Sequence, residues 1–122
     1  MAVRSRTVER VGPNAWRITW TGLTNASSDT GDPYSGYDDA IRLVQVTGTF
    51  GAGGTVLIEG SLLDSLATYG QMHDTAGSDL SFGDSRVEQM QEGPVVYRPR
   101  VSAGDGTTDL TVTVIETRRG RS

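Results

Sequence analysis

Large apolar residues recur at every second position of this chain, and that spacing constrains its fold more than any other feature. In Ala15 to Thr21, the residues Trp16, Ile18 and Trp20 share one parity. Near the other end Leu110, Val112 and Val114 do the same, with Thr111 and Thr113 between them. A strand turns successive side chains to opposite faces, so this period gives one row to a core and the other to solvent, whereas a helix needs a spacing of three and four. Ile41 to Phe50 is β-branched and apolar, FGAGG interrupts it, and Thr55 to Glu59 resumes with Val56 and Ile58 on one face. That arrangement predicts a hairpin. Val95 to Val101 reads as another strand, at a sheet edge or a bulge, because Pro99 has no N–H for a ladder. Arg6 to Val11, Leu66 to Tyr69, Leu80 to Phe82 and Arg86 to Met90 are weaker strand candidates. Only Ser61 to Thr68, SLLDSLAT, has helix-like spacing, and it is too short to stand alone.

Turn-rich stretches separate these runs: 25–36, 51–54, 74–79 and 104–107. Asp105-Gly106 in GDGTTD is a strong tight-turn signal between two strand runs. Many short strands at regular intervals predict an all-β fold, an antiparallel, jelly-roll-like β-sandwich of about eight strands. The 122 residues suit one domain, 1–122, with flexible arginine-rich termini: an N-terminal arm over 1–10 and a C-terminal tail over 116–122.

Several chemistries lack their residues. The sequence has no cysteine, and all 11 of its basic residues are arginine. Thiolate metal sites, cysteine nucleophiles, Schiff-base lysines and phosphate-loop lysines are therefore excluded. FGAGGT looks like a phosphate-binding glycine loop, but without a lysine and a following helix it reads as a turn. His73 is the only histidine. A serine–histidine–acid set could in principle be assembled from Ser61 or Ser65 with His73 and Asp74, but no serine lies in a nucleophile elbow. Asp29, Asp32, Asp38 and Asp39 offer hard oxygen ligands, yet lack the alternation and closing glutamate of a calcium loop, so they read as a solvated loop. The expectation is a protein that is not an enzyme and uses no cofactor or metal.

Trp16, Trp20, Tyr34, Tyr37, Tyr69 and Tyr97 could form a platform for sugar rings, but the shared parity of the tryptophans favours core packing. Asn25-Ala26-Ser27 matches a glycosylation acceptor and reads as a turn. No apolar run approaches the length of a bilayer span, and the opening MAVRSRTVERVGP has no apolar signal region. No membrane partner is expected.

The net charge of −4 is unevenly spread. Residues 1–20 carry four arginines against one glutamate, 21–96 two against eleven acids, and 97–122 five against three. An acidic body and arginines not interleaved with aromatic residues disfavour nucleic acid. The planar guanidinium fork suits carboxylates, so Arg4, Arg6, Arg10, Arg98, Arg100, Arg118, Arg119 and Arg121 are candidate contacts to an acidic partner or subunit surface.

TWTGLTN (19–25), VQVTGTFGAGGTVLIEGS (44–61) and YRPRVSAGDGTTDLTVTVIETRR (97–119) resemble a family of small proteins encoded beside the major capsid protein of tailed bacteriophages, the head decoration or cement proteins. After Ser61 the chain departs from that pattern, with LLDSLATYGQM replacing an asparagine–aspartate–glycine turn and a tryptophan. The resemblance implies a jelly-roll-like subunit, homotrimeric, made in the host cytoplasm and placed on the outer surface of the virion. It would bridge capsomers of the major capsid protein against internal DNA pressure. A carbohydrate-binding module on a virion surface is the alternative.

Overall fold

The computed structural model describes residues 3–25, 29–35, 40–62, 69–92, 94 and 96–118. Among these there is no helix. Eleven strands follow one another: β1 (Val3–Arg4), β2 (Arg6–Gly12), β3 (Ala15–Thr24), β4 (Thr30–Gly31), β5 (Ala40–Thr49), β6 (Thr55–Ser61), β7 (Gly70–Gln71), β8 (Ser81–Phe82), β9 (Val87–Met90), β10 (Val96–Ala103) and β11 (Asp109–Arg118). They form two sheets packed face to face as a β-sandwich. The first runs β1-β4-β10-β6-β7, with β8 also on β6; the second runs β2-β3-β11-β5-β9. All pairings are antiparallel except β1 with β4. The three strands beyond the expected eight reflect two-residue ladders such as β1 and β7.

The alternating rows meet between the sheets. Ile18, Trp20 and Leu23 from β3, Val44 and Val46 from β5, and Leu110, Val112 and Val114 from β11 face Val56, Ile58, Tyr97 and Val101 of the first sheet, all buried. A bulge shifts the parity of β3, pairing Trp20 with Val112 but Leu23 with Leu110. Trp20 is fully buried: its indole N–H donates to Asp32 O at 2.9 Å, and its ring meets Tyr97 edge-on at 6.3 Å. Trp16 is only half-buried at the margin of the core.

Two expected hairpins are corners instead. β5 lies in the second sheet and β6 in the first, so FGAGG carries the chain across the sandwich. GDGTTD likewise links β10 of the first sheet to β11 of the second. Asp105 fastens the two corners together. Its carboxylate accepts the Ala52 N–H at 2.8 Å and the Thr107 N–H at 2.8 Å, and the Thr108 hydroxyl donates to Phe50 O at 2.7 Å. Gly51, at φ 70°, lies so close that a Cβ there would fall 2.2 Å from the Asp105 carboxylate. Asn25 adds a third loop, its amide donating to Gly104 O at 3.0 Å.

Pro99 is not on an edge. β10 lies between β6 and β4. The N–H groups of Tyr97 and Val101 donate toward Tyr34 O and Asp29 O, so Pro99, of the same parity, has its missing N–H on the side where β4 is only two residues long. Its ring packs on Gly31, where any Cβ would come within 2.7 Å of both Pro99 and Trp20.

The arms also differ from expectation. From Val3 onward the N-terminal segment is strand, β1 pairing with β4 in one sheet and β2 with β3 in the other. β11 continues through Arg118, where the backbone N–H donates to Asn14 O at 2.8 Å. Arg119 and Arg121 lie outside the described residues, as do Tyr37, Asp38, Asp39 and most of the 61–68 stretch. The weaker candidates at Arg6 to Val11, Leu80 to Phe82 and Arg86 to Met90 are strands within a residue of their expected limits.

Trp20→Ala should cost about 3–5 kcal/mol and Trp16→Ala no more than about half of that, because only Trp20 leaves a closed cavity. Urea denaturation of the two variants measures the difference, and equal losses would contradict it. A second expectation concerns acid. Hydrogen bonds from Ala52 and Thr107 hold the Asp105 carboxyl at about 2, below its ordinary 3.8. Its contribution to stability is full above the ordinary value and is lost as pH falls through about 2. Asp105→Asn should therefore flatten the acid limb of a stability-against-pH curve relative to the parent.

Candidate interaction surface

Of the arginines singled out by charge, the described ones are distributed over both sheets, and Arg4, Arg6, Arg98 and Arg100 have carboxylate partners. Arg4 Nε lies 2.8 Å from the buried Asp29, which also accepts the N–H and hydroxyl of Thr24 at 2.9 Å each. Burial alone would raise the Asp29 pKa, but these donors outweigh it and hold it below the usual carboxylate value. Arg6 pairs with Asp32 and its guanidinium sits 5.6 Å from the Tyr34 ring centroid. Asp29 and Asp32, which the sequence offered as cation ligands, are thus both engaged by arginines.

On the outer face of the first sheet Arg98 and Arg100 converge on Glu59, at 3.3 and 2.8 Å, and Arg98 covers the Tyr69 ring at 3.9 Å. Glu59 is only 9% exposed as a result. Arg10 differs. It donates to the backbone oxygens of Gly12 and Pro13 at 3.0 and 2.9 Å and lies over Trp16 at 5.8 Å, without a carboxylate among the described residues.

Sequence reasoning missed a charge inside the sandwich. Glu116 continues the inward row of β11 and is fully buried, with Oε2 accepting from Arg42 Nε at 2.8 Å and from the Tyr97 hydroxyl at 2.9 Å. Arg42 is its register partner on β5 and lies 5.5 Å over the Tyr97 ring. Burial, then the Glu116 charge, pushes the Tyr97 hydroxyl well above the ordinary phenol value. At 3% exposure Arg42 faces no solvent-borne ligand, so the group reads as structural.

His73 is not set against Asp74, whose carboxylate caps the turn at 76–78. Its Nδ1 lies 2.6 Å from Glu92 Oε2, its Nε2 3.4 Å from Asp79, and its backbone N–H donates to Glu92 Oε1 at 2.7 Å. This joins the loop after β7 to the segment after β9, beside a groove of about 270 Å³ lined by Gly60, Ser61, Leu62, Met72, Glu92 and Pro94. Ser65 lies outside the described residues, and the His73–Glu92 pair functions as a clasp between loops.

The outer face of the second sheet is broad and rich in threonine. β5, β9 and β11 place Ile41, Leu43, Val87 and Ile115 there, the first three 38%, 41% and 53% exposed. Leu43 lies directly opposite Ile115 and two residues from Ile41, while Val87 pairs with Gln45 and is the diagonal neighbour of Leu43. Elsewhere Thr111, Thr113 and Thr117 occupy the same parity of β11.

A scan against protein-family models finds no match, and a search of curated proteins finds none either.

The hydrogen bond to Glu92 raises the His73 pKa above the ordinary imidazole value of 6.5, with Asp79 and Asp74 adding to the effect. The clasp's charge contribution is complete below that ordinary value and disappears as pH rises through the raised one. An NMR titration should find His73 titrating above 6.5, and Glu92→Gln should move its midpoint down; an unmoved midpoint would contradict the clasp.

Proposed function

We propose that this protein decorates the outer surface of a bacteriophage head, binding the major capsid protein and stabilising the shell against packaged DNA by bridging capsomers. The resemblance of residues 19–25, 44–61 and 97–119 to head decoration proteins supports this reading. The observation that carries it structurally is the group of exposed Ile41, Leu43 and Val87 beside the half-buried Ile115, on a sheet face otherwise made of threonine and other polar residues. A contiguous apolar patch on a rigid sheet is a contact surface in search of a partner. Repeated around a particle, contacts of modest affinity become strong through multivalency. Association of the protein as a homotrimer belongs to the same proposal, since each copy then presents several such faces to the shell.

The carbohydrate-binding alternative has less support, because the rings it would use, Tyr37 aside as outside the described residues, are engaged. Arg6 covers Tyr34, Arg98 covers Tyr69, Arg10 covers Trp16, and Trp20 and Tyr97 are buried.

Purified protein mixed with undecorated particles should bind in numbers comparable to the shell subunit, measured by mass spectrometry of pelleted particles. Leu43→Glu should melt like the parent yet lower occupancy about tenfold or more, since a buried unpaired carboxylate at a contact costs several kcal/mol. Sedimentation of the free protein tests the trimer. Undiminished decoration by Leu43→Glu would remove the sheet face from the interface.

A further inference from the structure

We propose that the open edge of β2 accepts an extended acidic segment of another protein as an added antiparallel strand, with a carboxylate opposite Arg10. The inference is independent of the decoration reading and of the apolar face on which that reading rests.

β2 is a seven-residue edge strand, bonded to β3 on one side and, among the described residues, to nothing on the other. The other sheet margins are shorter: β1, β7 and β8 have two residues each and β9 has four. An edge strand leaves the N–H and C=O groups of alternate residues available as a template, and proteins that avoid such pairing place proline, bulges or inward charge there. Arg6 to Val11 contains no proline, and the only bulge in its ladder comes at the far end, between Arg10 and Gly12; the inward charges Arg6 and Arg10 turn away a strand that brings no matching acid.

The side chains define what can be added. The register with β3 places Arg6, Val8 and Arg10 on the core-side face and Thr7 and Glu9 on the other, with Val11 in the bulge. Arg6 and Glu9 are matched, by Asp32 and by Arg17. Arg10 is held in place by the Gly12 and Pro13 carbonyls and the Trp16 ring, without a carboxylate among the described residues. An incoming strand with an acid opposite Arg10, an apolar residue opposite Val8 and a base opposite Glu9 satisfies both faces. Cross-strand pairs of opposite charge stabilise such a ladder and like pairs oppose it.

A second copy of this strand does not fit. A two-fold axis that keeps the faces continuous can be centred on Val8, Glu9 or Arg10 if five or more residues of β2 are to pair. Those centres set Arg6 against Arg10, Glu9 against Glu9, and Arg10 against Arg10. Every such register opposes like charges, so the occupant is a different, acidic segment.

The test titrates the full chain with the peptide TEKVTET, which presents acid, base and valine to Arg10, Glu9 and Val8 in antiparallel order, and with the charge-reversed TKEVTKT. Amide shifts and hydrogen exchange are read residue by residue. TEKVTET should give saturable shifts and slowed exchange confined to residues 6–12, and should bind about tenfold tighter than TKEVTKT. The acidic net charge of the chain favours the reversed peptide, so this preference can come only from the local register. Arg10→Glu should weaken TEKVTET and restore binding to TKKVTET, with unchanged melting as the control for folding. Equal affinity for the two peptides, shifts centred outside 6–12, or no saturation at millimolar peptide would each overturn the proposal. So would dimerisation of the free protein through β2.

Discussion

The carboxyl group of Glu116 sits where a valine would continue the inward row of β11, and much of the sandwich is arranged around giving it hydrogen-bond partners. An unpaired carboxylate in an apolar interior costs several kcal/mol, so the residues around it are narrowly constrained. Arg42 must lie directly across the β5–β11 ladder, which fixes that register to the residue. Tyr97 must reach over from the other sheet, and its hydroxyl bond ties the two layers at one end. Its ring then receives Trp20 and Tyr34 edge-on, at 6.3 and 5.9 Å, so the aromatic centre of the core is positioned by the same polar group. A register slip by one residue would turn Glu116 outward and leave Arg42 buried opposite a threonine or an isoleucine.

At the opposite end of β11 the layers are joined by different means. The FGAGG and GDGTTD corners each carry the chain from one sheet to the other, and Asp105 and Thr108 bond them to each other through backbone groups. One end of the sandwich is thus closed by side-chain charge and the other by loop backbone. Between them lies an apolar core that needs no polar help.

Strand existence was legible in the sequence because period-two spacing is a local property, and the rows at Trp16 to Trp20 and Leu110 to Val114 lie where they were read. Pairing was not legible. A glycine-rich stretch between two strands satisfies a corner as well as a hairpin, and only the distant Asp105 decides in favour of the corner at FGAGG. Pro99 suggested an edge because the two-residue β4 that tolerates it, with Gly31 beneath the ring, is distant in sequence. The arginine-rich ends suggested arms because their partners, Asp29 and Asp32, lie some 25 residues away in a segment that reads as a solvated loop. Glu92, 19 residues from His73, and Arg42, 74 from Glu116, left no local signal at all. One sign was available: Glu116 keeps the parity of Leu110, Val112 and Val114, and an acid in an inward row needs a partner.

The strand order also determines when the fold can form. β11 lies between β3 and β5, and β10 between β4 and β6, so the central strand of each sheet comes after all of its neighbours in the chain. On a ribosome adding about 5–20 residues per second, β3 and β5 would emerge with no bond between them, their apolar rows exposed until β11 arrives. Apart from β2–β3 and β6–β7, the ladders join residues far apart in sequence, which slows folding. Apart from the local β2–β3 hairpin, the apolar rows of the earlier strands therefore wait for β10 and β11 before either sheet is continuous.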